Sequence, residues 1–248
     1  MVEYKMREVD EIIGRAVNLL CIYDRTSLEY KILQGQYHSW KDREKQRLFL
    51  YDWLLKNDFL KYITASEQAL FQKKIGNPFL KNILREQEFQ FEAIEPLLWT
   101  MGLVKRLSSY DEYVLKDYEF HEKLKMTVPD TRKKLLEKVV MRNEDEVILQ
   151  DQVAMLWHWR AIEGKNQLFK KEPIRDVLSR IFGEEYKEAI DKILKRQKKK
   201  QDFMIGDKYV YELNSKELSH LYKRTTWRYH AFEWLLTEED WDDVQLNT

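Results

Sequence analysis

"SKELSHLYKRTTWRYHAFEWLL", residues 215–236, is the stretch whose reading decides the fold. At about 100° per residue, Leu218, Tyr222, Thr225, Tyr229, Phe232 and Leu236 fall on one narrow helical face. Trp227, Ala231 and Trp234 fall on the opposite face, where a surface helix would carry Lys and Glu. A helix apolar on both sides is enclosed by its neighbours, so this one is expected to run through the middle of the fold, capped by Asn214 or Ser215.

Two further segments read the same way. In 147–162, Val147, Ile148, Val153, Ala154, Leu156, Trp157, Trp159 and Ile162 leave almost no polar face, and in 89–104 Phe89, Phe91, Ile94, Leu97, Leu98, Trp99 and Leu103 do likewise. The expected core is therefore three aromatic-rich helices, with Trp99, Trp157 and Trp234 buried. Charges drawn inside such helices need partners. Glu92, His158, Arg160, Arg228 and His230 are the polar residues inside them, and Glu92 is expected to meet one of the arginines.

Outward from this core the pattern stays helical. Helices are expected over 7–33, over about 41–56 with Leu48, Tyr51 and Leu55 on one side, and from Thr64 or Ser66. Asn77–Pro78 opens a fourth that runs to about Val104 and is kinked at Pro96, with Gly102 ending it. Residues 105–126 read as loop plus a short helix. Helical pattern resumes at Asp130, runs strongly over 143–163, and returns after Pro173 as far as about Lys200. "DFMIGDKYVYEL" turns at Gly206–Asp207, so one small β-hairpin is expected near 202–213. With 7 Gly and 4 Pro in 248 residues and no low-complexity linker, the fold class is mainly α: a helical bundle forming a single domain over 1–248.

Forty-three basic residues balance 43 acidic ones, which disfavours nucleic acid as the main partner. The single Cys21 suits a reducing cytoplasm, and no window is apolar enough to span a membrane. The start, "MVEYKMREVDEIIGR", lacks the apolar run of a signal peptide.

Four stretches resemble a known but uncharacterised family, domain of unknown function 4272. They are "GRAVNLL" (14–20), "EAIEPLLWTMGLV" (92–104), "LWHWR" (156–160) and the ending "WRYHAFEWLLTEEDWDDVQLNT" (227–248). The resemblance implies a mostly helical fold and lends no activity. Tyr229, Glu233 and Gln90 stand where the family tends to have His, Asn and Arg, which weakens any fixed catalytic set.

Each candidate site has a structural counterpart. Glu92, His158, Arg160 and Arg228, with His230 beside them, make either an acid–base pocket or a satisfied buried network, and the second is preferred. In the tail "TEEDWDDV", Trp241 is expected to pack on the core while Asp242 or Asp243 finds an amide or arginine. The spacing is not that of a calcium loop. "KILKRQKKK" (192–200) could touch phosphates but reads first as a solvated helix end. "YEFHEK" (118–123) has a His between two Glu and no second His, so no metal is expected, and no motif asks for a cofactor. The preferred function is a non-catalytic module that binds another protein. The alternatives are an enzyme at Glu92, His158, Arg160 and Arg228, and a nucleic-acid contact through 192–200.

Overall fold

A computed structural model describes residues 5–33, 39–77, 89–112, 117–124, 131–164, 172–195 and 202–246. Its helices are α1 (Val9–Leu33), α2 (Trp40–Lys56), α3 (Ala65–Gln72), α4 (Ile94–Thr100), α5 (Asp117–Lys123), α6 (Thr131–Leu136), α7 (Glu144–Glu163), α8 (Ile174–Phe182), α9 (Lys187–Lys195) and α10 (Ser215–Leu236). A hairpin, β1 (Met204–Ile205) and β2 (Lys208–Tyr209), pairs Met204 with Tyr209 and Ile205 with Lys208 around Gly206, whose φ of 58° suits a tight turn. The chain is mainly α with this small hairpin. No described helix is long and apolar enough to cross a membrane.

Side chains set several helix starts. Thr64 accepts from the Glu67 amide while Glu67 accepts from the Thr64 amide, a reciprocal box that begins α3. Asn214 does the same for α10, accepting from the Lys216 and Glu217 amides at 2.9 Å. Asn143 takes the Glu146 amide at 2.8 Å at the head of α7.

Packing builds two cores. The first gathers Ile12, Ala16 and Leu20 of α1, Leu97, Leu98 and Trp99 of α4, and Phe232, Trp234 and Leu235 of α10. The second joins Leu156 and Trp157 of α7 to Val177 and Leu178 of α8, Ile190 of α9, Phe203 and Val210. Helix α7 serves both, giving Val147 and Ala154 to the first. Trp99, Trp157 and Trp234 are only 7, 6 and 5% exposed, as expected, although Trp157 belongs to the second core. Burying each large side chain contributes about 1.5–3 kcal/mol.

Three expectations are corrected. Helix α10 is enclosed from Arg228 onward, whereas Tyr222 is exposed and Trp227 half-buried before that point, and Ile162 near the end of α7 is exposed as well. The fourth helix is not one long kinked rod: a 3-10 turn over Gln90–Ala93 leads into α4, which places Pro96 in the first helical turn, where its missing N–H costs nothing. Residues 78–88 lie outside the described residues. Helix α2 turns Leu48 and Leu55 outward and buries Arg43, Arg47 and Leu54 instead. The reason is hydrogen bonding: Arg43 donates to the Leu28 carbonyl at 2.9 Å, and Arg47 to the Phe71 carbonyl.

Gly14 sits inside α1 without breaking it. A Cβ there would lie 2.0 Å from the Tyr62 ring, so glycine lets the ring pack directly on the helix.

The second core also holds a fully buried pair, Arg160 with Asp202, joined by two 2.7 Å bonds. Asp202→Ala strands a buried guanidinium and is expected to cost about 3–5 kcal/mol, whereas Arg160→Met combined with Asp202→Leu recovers most of that. Urea unfolding midpoints of the three proteins measure both.

Candidate functional site

The polar residues gathered at sequence level divide into separate environments. Glu92, at the 3-10 turn before α4, and Arg228, on α10, form a buried pair, with Nε and Nη2 each 2.9 Å from Glu92 Oε2. Arg224, one turn earlier, brings Nε to 3.6 Å from Oε1. Arg228 also donates to the carbonyls of Ser108 (3.0 Å), Ser109 (3.1 Å) and Glu112 (3.1 Å). Arg224 donates to the Tyr110 carbonyl. Glu95 completes the clamp by accepting from the Ser108 amide at 3.0 Å and its hydroxyl at 2.6 Å. Every nitrogen of Arg228 is thereby engaged, so its work is to hold residues 108–112 against the core.

That clamp places Tyr110. Its ring lies 4.9 Å from the Arg228 guanidinium and stacks on Trp157 of α7 at 4.8 Å and 17°. Burial drives the Tyr110 phenol well above its usual pKa, which keeps it a neutral O–H. Between this loop, α7, α9, the hairpin turn and α10 lies a cleft of about 210 Å³, bordered by Tyr110, Gln150, Trp157, Met204 and Phe232.

The remaining residues sit elsewhere. Arg160 spends itself on Asp202 and on the Gly164 carbonyl at 3.1 Å. His158 is buried between Tyr222 and Tyr229, its ring 5.3 and 5.8 Å from theirs, with Nδ1 3.4 Å from the Thr226 hydroxyl. Burial pushes it down to about 4. His230 packs edge-on against Trp241 at 4.5 Å. Burial lowers it to about 4 as well, aided by the Arg15 charge and opposed by a hydrogen bond to the Trp241 backbone. Glu92 and Arg228 are therefore brought together, while His158, Arg160 and His230 are not brought to them.

The acidic ending folds back. Trp241 and Val244 are buried in the first core, and the Arg15 guanidinium covers the Trp241 ring at 4.3 Å. Asp242 accepts from the Ser66 hydroxyl at 3.3 Å rather than from an amide or arginine, and Asp243 is exposed. Lys192 and Lys195 belong to α9, and 196–200 lie outside the described residues. His121 meets Asp24 at 2.8 Å. Among the described residues no three His, Cys, Asp or Glu side chains converge to hold a metal. Cys21 is buried, which raises its thiol pKa.

Asp151 of α7 interrupts an apolar face, and its Oδ1 is sealed from solvent without a hydrogen bond. Burial raises its pKa, with the charge of Glu233 adding to the shift. Burial raises Glu233 too, against a hydrogen bond from Tyr229. Only the neutral acid is comfortable there, so the native state binds more protons than the unfolded chain, and stability falls as pH rises above about 4. The histidines act oppositely: neutral when folded, they withdraw stability as pH drops from about 6.5 toward 4. Asp151→Asn is expected to raise the melting temperature at pH 7 and change it little at pH 3.5. His158→Phe is expected to flatten the decline between about pH 6.5 and 4. Thermal denaturation across pH reads both.

Comparison with curated proteins and with solved structures finds no match for the chain. A family model described as domain of unknown function (DUF4272) matches residues 2–179. The stretches at 14–20, 92–104 and 156–160 fall inside that range, and the ending at 227–248 falls outside it. The match spans well over half of the 248 residues, and the chain belongs to this family.

Proposed function

We propose that this chain is a non-catalytic protein-interaction module that docks its partner on the outward face of α2. The observation that carries the reading is the exposure of Leu48, Phe49 and Leu55, at 46, 66 and 59%, on one helix whose buried side is held by arginines. Large apolar side chains in such density on a surface are usual where a partner covers them. Lys41, Lys45 and Lys56 are exposed beside the apolar positions and outnumber the exposed acids of the helix, Asp42 and Asp52. The partner that fits is an amphipathic helix with an apolar stripe and acidic flanks.

The internal polar chemistry supports a binding role over catalysis. Arg228 and Arg160 are saturated by carboxylates and carbonyls, and the two histidines face aromatic rings instead of those pairs. We place the module in a reducing, cytoplasmic setting and treat 1–248 as one domain, because α7 is shared by both cores.

Replacing Leu48, Phe49 and Leu55 together by Ser tests the reading. Each exposed change is expected to alter stability by no more than about 0.5 kcal/mol. A photo-crosslinker placed at position 49 is expected to capture one partner peptide of the stated chemistry, and the purified partner to bind the native chain and lose measurable affinity for the triple variant. A partner bound equally by both proteins, or no crosslink above that of a probe at exposed position 140, overturns it.

A further inference from the structure

The cleft beside Tyr110 and Trp157, apart from the α2 surface, carries polar groups that the fold does not use. Gln150 of α7 borders it, is only 8% exposed, and among the described residues its amide makes no hydrogen bond. Neither atom of that amide is sealed from solvent, so it opens toward the cleft, where water or a ligand can meet it. Tyr110 borders the same space, and its hydroxyl makes no hydrogen bond among the described residues. Around these groups the walls are flat or apolar: Trp157, Phe232 and Met204.

The chemistry of the walls narrows the ligand. An amide presents an acceptor and a donor side by side, which matches a ring edge carrying an amine next to a bare nitrogen, the edge that glutamine reads on adenine. Aromatic walls favour a flat ring system. A volume of about 210 Å³ lies below the range of about 300–1,000 Å³ typical of drug-sized ligands. Charge disfavours a phosphate: Arg228 has every nitrogen engaged, Lys192 already interacts within the protein, and Asp111 and Asp207 border the same space.

We propose that this cleft binds a neutral purine with an adenine-type edge, as the free base or nucleoside. Gln150 reads the edge, its carbonyl accepting from the exocyclic amine and its NH2 donating to the ring nitrogen. The edges of the stacked Tyr110 and Trp157 rings, with Met204, form the apolar border against which the ligand ring lies. The bound ligand would occupy the donors and acceptors that the folded chain leaves bare.

Calorimetric titration of the full chain with adenosine tests this. Saturable binding is expected, with AMP and guanosine weaker. Gln150→Leu keeps the volume and removes the amide, and should weaken adenosine binding by roughly tenfold or more, as expected for loss of a bidentate base contact. Gln150→Glu keeps the shape and removes the donor, and should weaken it too, so it decides the matter if the leucine variant fails to fold. The triple serine variant of α2 should bind adenosine like the native chain. The proposal is overturned if neither adenosine nor adenine binds more tightly than about 1 mM, if the folded Gln150 variants bind as the native chain does, or if AMP binds as tightly as adenosine.

Discussion

Buried guanidinium groups hold this fold together, and each does two jobs at once. Arg15 pairs with Glu67 and donates to the Tyr62 carbonyl. Arg25 pairs with Glu29 and reaches the carbonyls of Leu70 and Lys73. Arg47 pairs with Glu44 and reaches Phe71, while Arg160 pairs with Asp202 and reaches Gly164. Arg228 pairs with Glu92 and reaches three loop carbonyls. A helix ends with carbonyls that have no intrahelical partner, and a short supply of glycine limits the usual way of closing them. Five donors in a fixed fork can neutralise one carboxylate and still satisfy those carbonyls. Desolvating an ion pair costs several kcal/mol, and the extra bonds are what make the arrangement tolerable.

That economy separates architecture from function. A charged residue found inside an apolar helix suggests chemistry when seen alone. Here such residues are consumed by helix ends and loop carbonyls, which leaves them little freedom to move protons or to change partners. Beside or on α7 the polar groups are of another kind: the Gln150 amide and Tyr110 on the cleft lining, and the Asp151 carboxyl, whose Oδ1 is sealed without a hydrogen bond. They are uncharged in the folded state or pressed toward neutrality by burial. A site made of neutral donors and acceptors among aromatic rings is suited to recognition more than to acid–base catalysis.

Hydropathy periodicity located α1, α7 and α10, and cap chemistry located Thr64 and Asn214, because those signals are local in the chain. The inverted face of α2 was hidden by the same logic. Leu48 and Leu55 look like core until Arg43 and Arg47 are seen to have carbonyls waiting for them on α1 and α3. Glu92 was recognisable as a charge needing a partner, yet Arg228 lies 136 positions away and Arg160 was as plausible a match. Asp202 looked like a hairpin flank and turned out to be the partner of Arg160. Pairings of this reach follow from tertiary placement, which a single sequence does not encode in any periodic form. Gln150 was passed over for the opposite reason: one amide in a largely apolar helix carries no motif, and its significance rests on what does not touch it.

The reach of these pairs also bears on where the folding unit stops. The family match ends at 179, yet Glu92 and Arg160 lie before that point while Arg228 and Asp202 lie after it. Arg15 stacks on Trp241, and the Arg7 amide donates to the Leu235 carbonyl at 3.1 Å. The amino end of α1 thus meets the carboxyl end of α10, so the positive end of one helix dipole faces the negative end of the other. Arg7 adds a guanidinium to the Trp234 carbonyl at 2.9 Å, in the turn where the following run of acids is least favourable. Cut at the boundary of the match, the first 179 residues would keep one buried carboxylate and one buried guanidinium with no counter-ion, and would expose the face of α4 that packs on Phe232 and Leu235. Uncompensated burial of a single charge is among the costliest defects a core can hold. The residues beyond the match are therefore as much a part of what the matched residues need as their own helices are.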